Sequence, residues 1–337
     1  MKTLKWFFLS IVILSVGCSR TTEQNSKIIV AYVTSWKTAT LPDPTHITNI
    51  NYAFGHVNET CDGIRIDNEA RLRQIVELRK KKPSLKVLLS IGGWGSGRFA
   101  EMADSATFRR SFAADCKRVI DEFKLDGIDI DWEYPTSSLA KISSTPRDTE
   151  NFTLMLGDIR TAIGKKKLLT IASEAGAKYI NFKHICPYVN FVNIMAYDIS
   201  NTPLHHAPLY RSELTEELTC EMAVNAHIRA GMPANRLVLG IPFYGRGLSS
   251  MPKPLGYRNI KNLSQEDYSR QWDSLAKVPY LIDSTGNIVC NYEDEESIRE
   301  KCAFINDFGL KGAMYWEYDG DDTEGTLRKA VFEGLKQ

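Results

Sequence analysis

Short apolar runs rich in Val and Ile alternate along this chain with longer stretches in which apolar positions recur at helical spacing. Each run is apolar on both faces, as expected of a strand that is covered on both sides. From Lys27 onward we identify the following candidate strands: 28–33, 47–54, 85–91, 125–132, 168–173, 191–197, 236–243 and 312–316.

Helical patterns lie between these runs, and several of them begin with a capping residue. The main ones are 69–81, 105–123, 148–163, 213–230 and 295–308. Strand–helix alternation repeated in this way predicts an α/β fold, with a parallel sheet closed as a (β/α)8 TIM barrel. An open doubly wound sheet is the alternative, but no Gly-rich phosphate loop follows the first strand. Residues 248–292 predict a short insertion between strand 7 and helix 7.

Three acidic residues share one face of the fourth candidate strand. Asp129, Asp131 and Glu133 alternate with apolar residues, and strand side chains alternate faces with a period of two. Carboxylates this close repel, so we expect a coupled titration with at least one group protonated near neutral pH. Glu133 ends the run and is the best candidate for a general acid. The alternative is an acidic, solvent-facing strand or a cation site.

The composition of the chain limits the classes of partner. With 337 residues, 43% hydrophobic and 25% charged, the chain is typical of one large globular domain and not of a disordered or membrane-spanning protein. A net charge of +1 gives no reason to expect nucleic acid or an anionic membrane surface as partner. This near-zero charge makes a neutral substrate the natural expectation. No His or Cys spacing resembles a metal site, so we expect no metal or cofactor.

The first residues have the pattern of an export signal. Residues 1–5 are basic, and residues 6–16 form an apolar run too short to span a bilayer, which predicts a signal peptide. The run ends in Leu-Ser-Val-Gly-Cys, which resembles the lipobox of bacterial lipoproteins and makes Cys18 the lipidated residue. Ordinary secretory cleavage is the alternative. We therefore expect a cell-envelope protein, lipid-anchored to the outer membrane, with a signal peptide (1–18), a polar tether (19–26) and a barrel (27–337).

Aromatic and acidic side chains follow the ends of the predicted strands. In a barrel these positions meet at one mouth. Flat aromatic rings bind the apolar faces of sugar rings, and acids or Arg bind hydroxyl and amide groups. The pattern therefore predicts a sugar-binding cleft, built from Trp36, Trp94, Asp131, Glu133, Tyr197, Asp198, Tyr244, Arg246 and Trp316.

The fourth strand resembles a known enzyme family. Residues 126–133 match the D-x-x-D-x-D-x-E signature of glycoside hydrolase family 18, the chitinases and their relatives. Residues 90–94 resemble that family's S-x-G-G segment, residues 195–198 its M-x-Y-D segment and residues 244–246 its seventh-strand motif. Tyr32, Trp36, Phe54 and Trp316 match aromatic positions of the first, second and eighth strands.

The resemblance implies retaining, substrate-assisted hydrolysis of β-1,4 linkages next to N-acetylglucosamine in chitin or chitooligosaccharides. Glu133 is then the general acid and base, and Asp131 orients the substrate's acetamido group. Asp129 shares a proton with Asp131, and Tyr197 donates to the acetamido oxygen. The implied substrate-binding residues are Tyr32, Trp36, Phe54, Ser90, Gly93, Trp94, Met195, Asp198, Tyr244, Arg246 and Trp316.

Two features depart from the family pattern. Glu174 adds an acid to the fifth strand that has no assigned role, and the insertion is short, which favours a shallow cleft for soluble or branched substrates. An endo-β-N-acetylglucosaminidase acting on the chitobiose core of N-glycans is an alternative function. A non-catalytic glycan-binding surface protein is another, which the presence of Glu133 disfavours. Endo or exo action, the oligomeric state and the pairing of the cysteines stay open.

Overall fold

The computed structural model describes residues 27–336. The predicted signal peptide, the lipidation site Cys18 and the polar tether lie outside the described residues. Within the described part of the chain, no helix has the length and apolar character needed to cross a membrane.

Eight parallel strands close into a barrel, which confirms the predicted TIM-barrel fold. They pair in the circular order β1, β2, β4, β5, β6, β7, β8 and β13, and β13 pairs again with β1. These strands are β1 (Ile28–Thr34), β2 (Asn49–Val57), β4 (Lys86–Gly92), β5 (Gly127–Asp131), β6 (Leu168–Glu174), β7 (Phe191–Met195), β8 (Leu237–Pro242) and β13 (Gly312–Trp316). A short strand, β3 (Ile64–Ile66), pairs antiparallel with the end of β2.

The helices surround the barrel. They are α1 (Glu69–Glu77), α2 (Phe99–Asp104), α3 (Ala106–Phe123), α4 (Asp148–Ile163), α5 (Phe182–Ile185), α6 (Cys220–Arg229), α7 (Tyr257–Ile260), α8 (Glu295–Asp307) and α9 (Thr326–Leu335). The bounds of α4 are those predicted, and α3 begins after Ser105, whose side chain caps it.

The prediction of a helix over residues 213–230 was wrong in its first third. Helix α6 begins only at Cys220, because the Thr219 hydroxyl accepts a hydrogen bond from the backbone N–H of Met222 and so caps it there. Before it, Ser212 and Thr215 bond to each other through side chain and backbone and form a turn. Residues 211–218 are therefore an irregular loop at the barrel mouth.

Two apolar layers hold the barrel together. Ile128 and Ile130 on β5 face outward and belong to the large core between strands and helices. The alternate residues, Asp129 and Asp131, are also buried and face the barrel interior. A smaller apolar cluster fills that interior, formed by Val30, Tyr32, Ala53, Phe54, Phe191, Val238 and Met314. The predicted period-two alternation thus places the acidic face of β5 inside the barrel.

The predicted insertion after β8 forms a small layer of its own. It contains α7 and a four-stranded antiparallel sheet in the order β10 (Tyr268–Asp273), β11 (Val278–Asp283), β12 (Ile288–Asn291) and β9 (Arg246–Gly247). The His205 ring fixes this sheet to the loop after β7, since its Nδ1 lies 2.9 Å from Asn291 Oδ1 and its Nε2 lies 3.0 Å from Asp273 Oδ2.

The described cysteines form no disulfide. Cys61, Cys116, Cys186, Cys220, Cys290 and Cys302 are all free, and burial raises the pKa of the Cys290 thiol to about 12. The buried ones, Cys116, Cys220, Cys290 and Cys302, therefore contribute packing and not cross-links.

Candidate active site

The carboxyl ends of the barrel strands enclose a cavity of about 990 Å³. Because all eight strands are parallel, the loops that follow them gather their side chains at this mouth. Most of the residues that the sequence predicts for the site line this cavity: Tyr32, Trp36, Phe54, Trp94, Asp131, Glu133, Met195, Tyr197, Asp198, Tyr244, Arg246 and Trp316.

Asp129 lies beneath the cavity and is fully buried. Its oxygens accept hydrogen bonds from Tyr32 Oη at 2.7 Å, Ser90 Oγ at 2.8 Å, Thr170 Oγ1 at 2.5 Å and Asn193 Nδ2 at 3.2 Å. Burial raises the pKa of Asp129, and the four donors oppose that rise because they stabilise the charged form. Asp129 therefore joins four other strands of the barrel to β5.

Asp131 and Glu133 lie above Asp129 and line the cavity. Burial raises the pKa of Asp131 well above its usual range, and the charges of Glu133 and Asp129 add to the rise. Asp131 Oδ1 is buried and has no hydrogen-bond partner among the described residues. Burial raises the pKa of Glu133 to about 7, helped by the negative charge of Asp198 and opposed by a hydrogen bond with Tyr134. The end of β5 and the residues that follow it therefore present two carboxyl groups that hold protons close to neutral pH.

Trp316 forms an aromatic floor between two other rings. Its ring centroid lies 5.7 Å from that of Phe54, in a stacked arrangement, and 5.7 Å from that of Tyr32. Trp36 and Trp94 stand at the rim with 55% and 63% of their surface exposed. Exposed Trp rings beside a polar cavity are suited to binding the faces of sugar rings.

A charged cluster forms the wall beside β8. Arg246 Nε donates to Asp198 Oδ1 at 2.6 Å, and its Nη2 donates to Oδ2, so that the pair is bidentate. His206 Nδ1 lies 3.4 Å from the same carboxylate. Burial acts to raise the pKa of Asp198, but the hydrogen bonds from His206 and Arg246 outweigh it and keep the pKa below its usual range. Asp198 is therefore a permanent negative charge close to Glu133.

Tyr197 lies between this wall and the barrel interior. Its ring packs edge-on against Tyr244 at a centroid distance of 6.2 Å, and its hydroxyl lies 3.9 Å from Met314 Sδ. A Cβ at Gly240 would come within 2.9 Å of the Tyr197 ring and 2.3 Å of the Ile194 carbonyl oxygen, so only glycine fits there.

Ser90 and Gly93, predicted as substrate-binding residues, do not line the cavity. Ser90 is fully buried and donates to Asp129. Gly93 has a φ of 92°, and a Cβ there would come within 2.8 Å of the Phe54 ring. Both residues therefore act on the site through a neighbour, Ser90 by holding the carboxylate and Gly93 by leaving room for the ring.

Several lining residues were missed by the sequence reasoning. Glu216, Glu217 and Leu218 line the cavity from the loop that was predicted as helix, and Lys178 lines it after β6. Glu174, which had no assigned role, also lies in the lining. The donors Thr170 and Asn193 were missed as well, although a polar residue in an otherwise apolar strand was an available signal.

The histidines near the mouth have polar neighbours within the protein. His205 binds Asn291 and Asp273, and His206 lies against Asp198. In residues 27–336 no group of three or more His, Cys, Asp or Glu side chains has the arrangement of a metal site.

Three known proteins are similar to this chain over most of its length. Chitinase A1 of Niallia circulans is 31% identical over 428 residues, which cover 95% of this chain and 61% of that protein. The structure of a family 18 N-acetylglucosaminidase from Paenibacillus barengoltzii matches with a TM-score of 0.84 at 32% identity, covering 91% of this chain and 99% of that one. Chitinase ChiW from Paenibacillus sp. str. FPU-7, a cell-surface-expressed multi-modular enzyme, matches with a TM-score of 0.84 at 29% identity, covering 93% and 43%.

The chain thus spans less than two thirds of Chitinase A1 and of ChiW, and nearly all of the N-acetylglucosaminidase structure. Residues 28–321, from the first barrel strand to beyond the last, match the family described as Glycosyl hydrolases family 18. This chain belongs to that family of glycoside hydrolases.

Proposed function

We propose that this protein hydrolyses β-1,4 linkages next to N-acetylglucosamine in chitin or chitooligosaccharides, with retention of configuration at the anomeric carbon. The observation that carries the proposal is the pair formed by Asp131, the last residue of β5, and Glu133, two residues beyond it, both in the cavity and with proton affinities raised by burial. The relatives' names, chitinase and N-acetylglucosaminidase, have the linkage beside N-acetylglucosamine in common.

The position of the two carboxyl groups supports a nucleophile from the substrate itself. A double-displacement pair must flank the scissile bond from opposite faces of the sugar. Asp131 and Glu133 project from the same end of β5 and reach the cavity from one side. The acetamido oxygen of an N-acetylglucosamine unit supplies the attack that neither carboxylate is placed to make.

The reaction then proceeds in two steps. Glu133 gives its proton to the glycosidic oxygen while the acetamido oxygen bonds to the anomeric carbon and the glycosidic C–O bond breaks. Asp131 hydrogen-bonds the acetamido N–H and stabilises the positive oxazolinium intermediate, and Tyr197 donates to the acetamido oxygen. Water next attacks the anomeric carbon and gives its proton to Glu133, which restores the acetamide and the acid.

Asp129 contributes through position and charge in this scheme. Both of its oxygens already accept protein donors, so it stabilises β5 beneath the reacting groups and its charge raises the pKa of Asp131. A proton shared between Asp129 and Asp131 requires one carboxyl to turn, since the two form no hydrogen bond with each other among the described contacts.

The test is product analysis by mass spectrometry with N-acetylglucosamine oligomers and, separately, with a high-mannose glycoprotein. We expect short oligomer products, and a rate lower by about 10²–10⁴-fold in Glu133→Gln, because general acid–base catalysis supplies that much. Glu150→Gln, an isosteric change on α4 outside the cavity, is the matched control. Released N-glycans would replace the proposal with the endoglycosidase, and binding of oligomers without cleavage would replace it with a glycan-binding protein.

We also propose that the chain is exported as a lipoprotein with residues 1–18 as signal peptide, Cys18 as the lipidated residue, 19–26 as tether and 27–337 as the catalytic barrel. The support is the basic and apolar pattern of the first 18 residues. Labelling of cells with radioactive palmitate should mark the native chain and not a Cys18→Ser variant. Equal labelling of both would reject lipidation at this residue.

A further inference from the structure

The face of the barrel opposite the cavity is strongly basic. In a parallel barrel every strand begins on this face, and five of the eight strands begin at or directly after Lys or Arg, while a sixth, β5, has Lys124 three residues before it. We call the following residues the basic face: Lys27 before β1, Lys81, Lys82 and Lys86 at β4, Lys124 before β5, Lys165, Lys166 and Lys167 before β6, Arg236 before β8, and Lys311 before β13.

Acidic residues are nearly absent from the same loops. Among the described residues, the loops that lead from a helix to the next barrel strand contain one acid, Asp126. Its carboxylate is already bound to Arg79 and accepts from the Val87 backbone N–H at 2.8 Å. Two more acids lie beside this face, Glu77, which pairs with Lys80 and stands near Lys124, and Asp43, which stands near Lys82. The cations of the basic face outnumber these acids, so the face carries a net positive charge.

Some of these cations have a structural role that accounts for them. Lys27 Nζ donates to the Leu310 carbonyl at 2.6 Å, Lys82 Nζ to the Ile47 carbonyl at 2.7 Å, and Lys167 Nζ to the Leu125 carbonyl at 2.7 Å. These three satisfy backbone oxygens that the ends of the strands leave exposed.

Four other lysines of this face have no such role. Lys81, Lys124, Lys165 and Lys166 are exposed, and within residues 27–336 their side chains make no hydrogen bond or ion pair. Exposed cations gathered on one face without internal partners are available to an external polyanion.

The place where the described chain begins indicates which polyanion. Lys27 is the first described residue and lies on the basic face, and Cys18 stands nine residues before it in the sequence. Eight residues of tether span at most about 28 Å when fully extended. A lipid at Cys18 would hold this face close to a membrane surface.

We propose that the basic face lies against the anionic headgroups of a lipid surface, so that the sugar cleft points away from the membrane. Attraction between lysines and anionic headgroups acts only within a Debye length, about 8 Å at physiological salt. An anchor at Cys18 would limit how far the face can move from the surface, and the lysines would supply the attraction that brings it into contact. This inference goes beyond hydrolysis, because cleavage of a glycan does not require the basic face.

The test is co-sedimentation of the full chain with phosphatidylcholine vesicles that contain or lack phosphatidylglycerol. All proteins carry Cys18→Ser, so that any lipid or apolar contribution from residues 1–26 is common to them. The test variant combines Lys81→Gln, Lys124→Gln, Lys165→Gln and Lys166→Gln. The control combines Lys37→Gln, Lys141→Gln, Lys178→Gln and Lys253→Gln, four exposed lysines at the opposite end of the barrel.

We expect the parent chain and the control variant to prefer the anionic vesicles, and the test variant to lose about 10²-fold of that preference. High salt should remove the preference in all three proteins. Equal binding of the test variant and the parent, or equal binding to both vesicle types, would overturn the proposal. Binding to a short DNA duplex without binding to anionic vesicles would assign the face to nucleic acid and overturn it as well.

Hydrolysis of soluble N-acetylglucosamine oligomers serves as an independent readout. The four lysines of the test variant lie outside the cavity, so its rate should equal that of the parent chain, which shows that the barrel is intact. Because vesicle binding does not require turnover, failure of the proposed hydrolysis would leave the membrane test unaffected, and the two proposals can fail separately.

Discussion

The two ends of this barrel are formed by the same eight strands, but ionisable groups are buried at one end and exposed at the other. At the mouth, Asp131 and Glu133 are packed into a cavity, and burial raises their pKa values. At the opposite end, Lys124, Lys165 and Lys166 are exposed and make no side-chain hydrogen bond or ion pair in the described part of the chain. At the mouth, burial makes ionisation of the carboxyl groups unfavourable, which suits them to proton transfer. At the other end, the lysines stay charged in water and can attract an anionic partner at long range.

The same contrast between exposed and buried charge appears along one short segment, from the loop before β5 into the strand itself. Asp126 and Asp129 stand three residues apart in the family signature, Asp126 just before β5 and Asp129 in the middle of it. Asp126 is partly exposed, with 22% of its side-chain surface accessible, and binds the Arg79 guanidinium. Asp129 is fully buried and binds neutral donors only. Two acids of one motif therefore have different structural roles, which set different costs for their replacement.

Replacing each of these two acids by Asn measures that difference. We expect Asp129→Asn to lower the free energy of unfolding by about 2–4 kcal/mol, because an amide N–H₂ in this buried position faces groups that donate. Asp126→Asn should cost about 1 kcal/mol, since water can replace the lost contacts of a partly exposed carboxylate.

Urea titrations of both variants, each compared with the native chain at one pH, provide the measurement. An equal loss in the two variants would contradict the contrast between the exposed Asp126 and the buried Asp129. A gain in stability for Asp129→Asn would mean that the four donors do not offset the cost of burying the charge.

The elements of the barrel could be predicted from local pattern, because each strand is a short, mostly apolar run and the segments between the strands are more polar. β13 has the bounds predicted, and the acids of β5 face inward as their period-two spacing requires. The cavity could be anticipated from the residues after each strand, since parallel strands bring those positions together. These predictions succeed because the residues of a single segment are enough to determine its secondary structure and the direction of its side chains.

The remaining features depend on contacts between segments. Glu216 and Glu217 were assigned to a helix because helical spacing extends through them, and only the Thr219 cap and the turn before it exclude them. The charge separation was missed for another reason. The net charge of +1 is a sum over the whole chain, and a sum does not reveal that the cations gather where strands begin and the acids where strands end.

Because the pKa of Glu133 is raised in the folded state, ionisation of this residue should lower the free energy of unfolding as the pH rises. The folded pKa is about 7 and the unfolded one about 4.5, so below pH 4.5 the group is protonated in both states and costs nothing. Between these values the folded state binds more protons than the unfolded one, so stability falls with pH and levels off above 7. Glu133→Gln lacks this loss and should be about 1–2 kcal/mol more stable than the native chain at pH 8, with the difference vanishing near pH 4.5.

Denaturant unfolding of both proteins across this pH range tests the sign of the effect. Glu150→Gln, on the exposed surface of α4, should follow the native chain throughout. A difference between Glu133→Gln and the native chain that stays constant with pH would show that the carboxyl titrates normally in the folded state.

The smallest effect concerns the charge of Asp198. Because this negative charge contributes to the raised pKa of Glu133, Asp198→Asn should shift the basic limb of the kcat profile to lower pH by roughly half a unit to one unit. The release of Arg246 from its partner acts in the same direction, since an unpaired cation near Glu133 also favours the ionised acid. Asp319→Asn, on the far side of Trp316, is the control and should leave the limb in place. A limb that stays fixed in Asp198→Asn, whatever the loss in rate, would mean that burial alone sets the proton affinity of the acid.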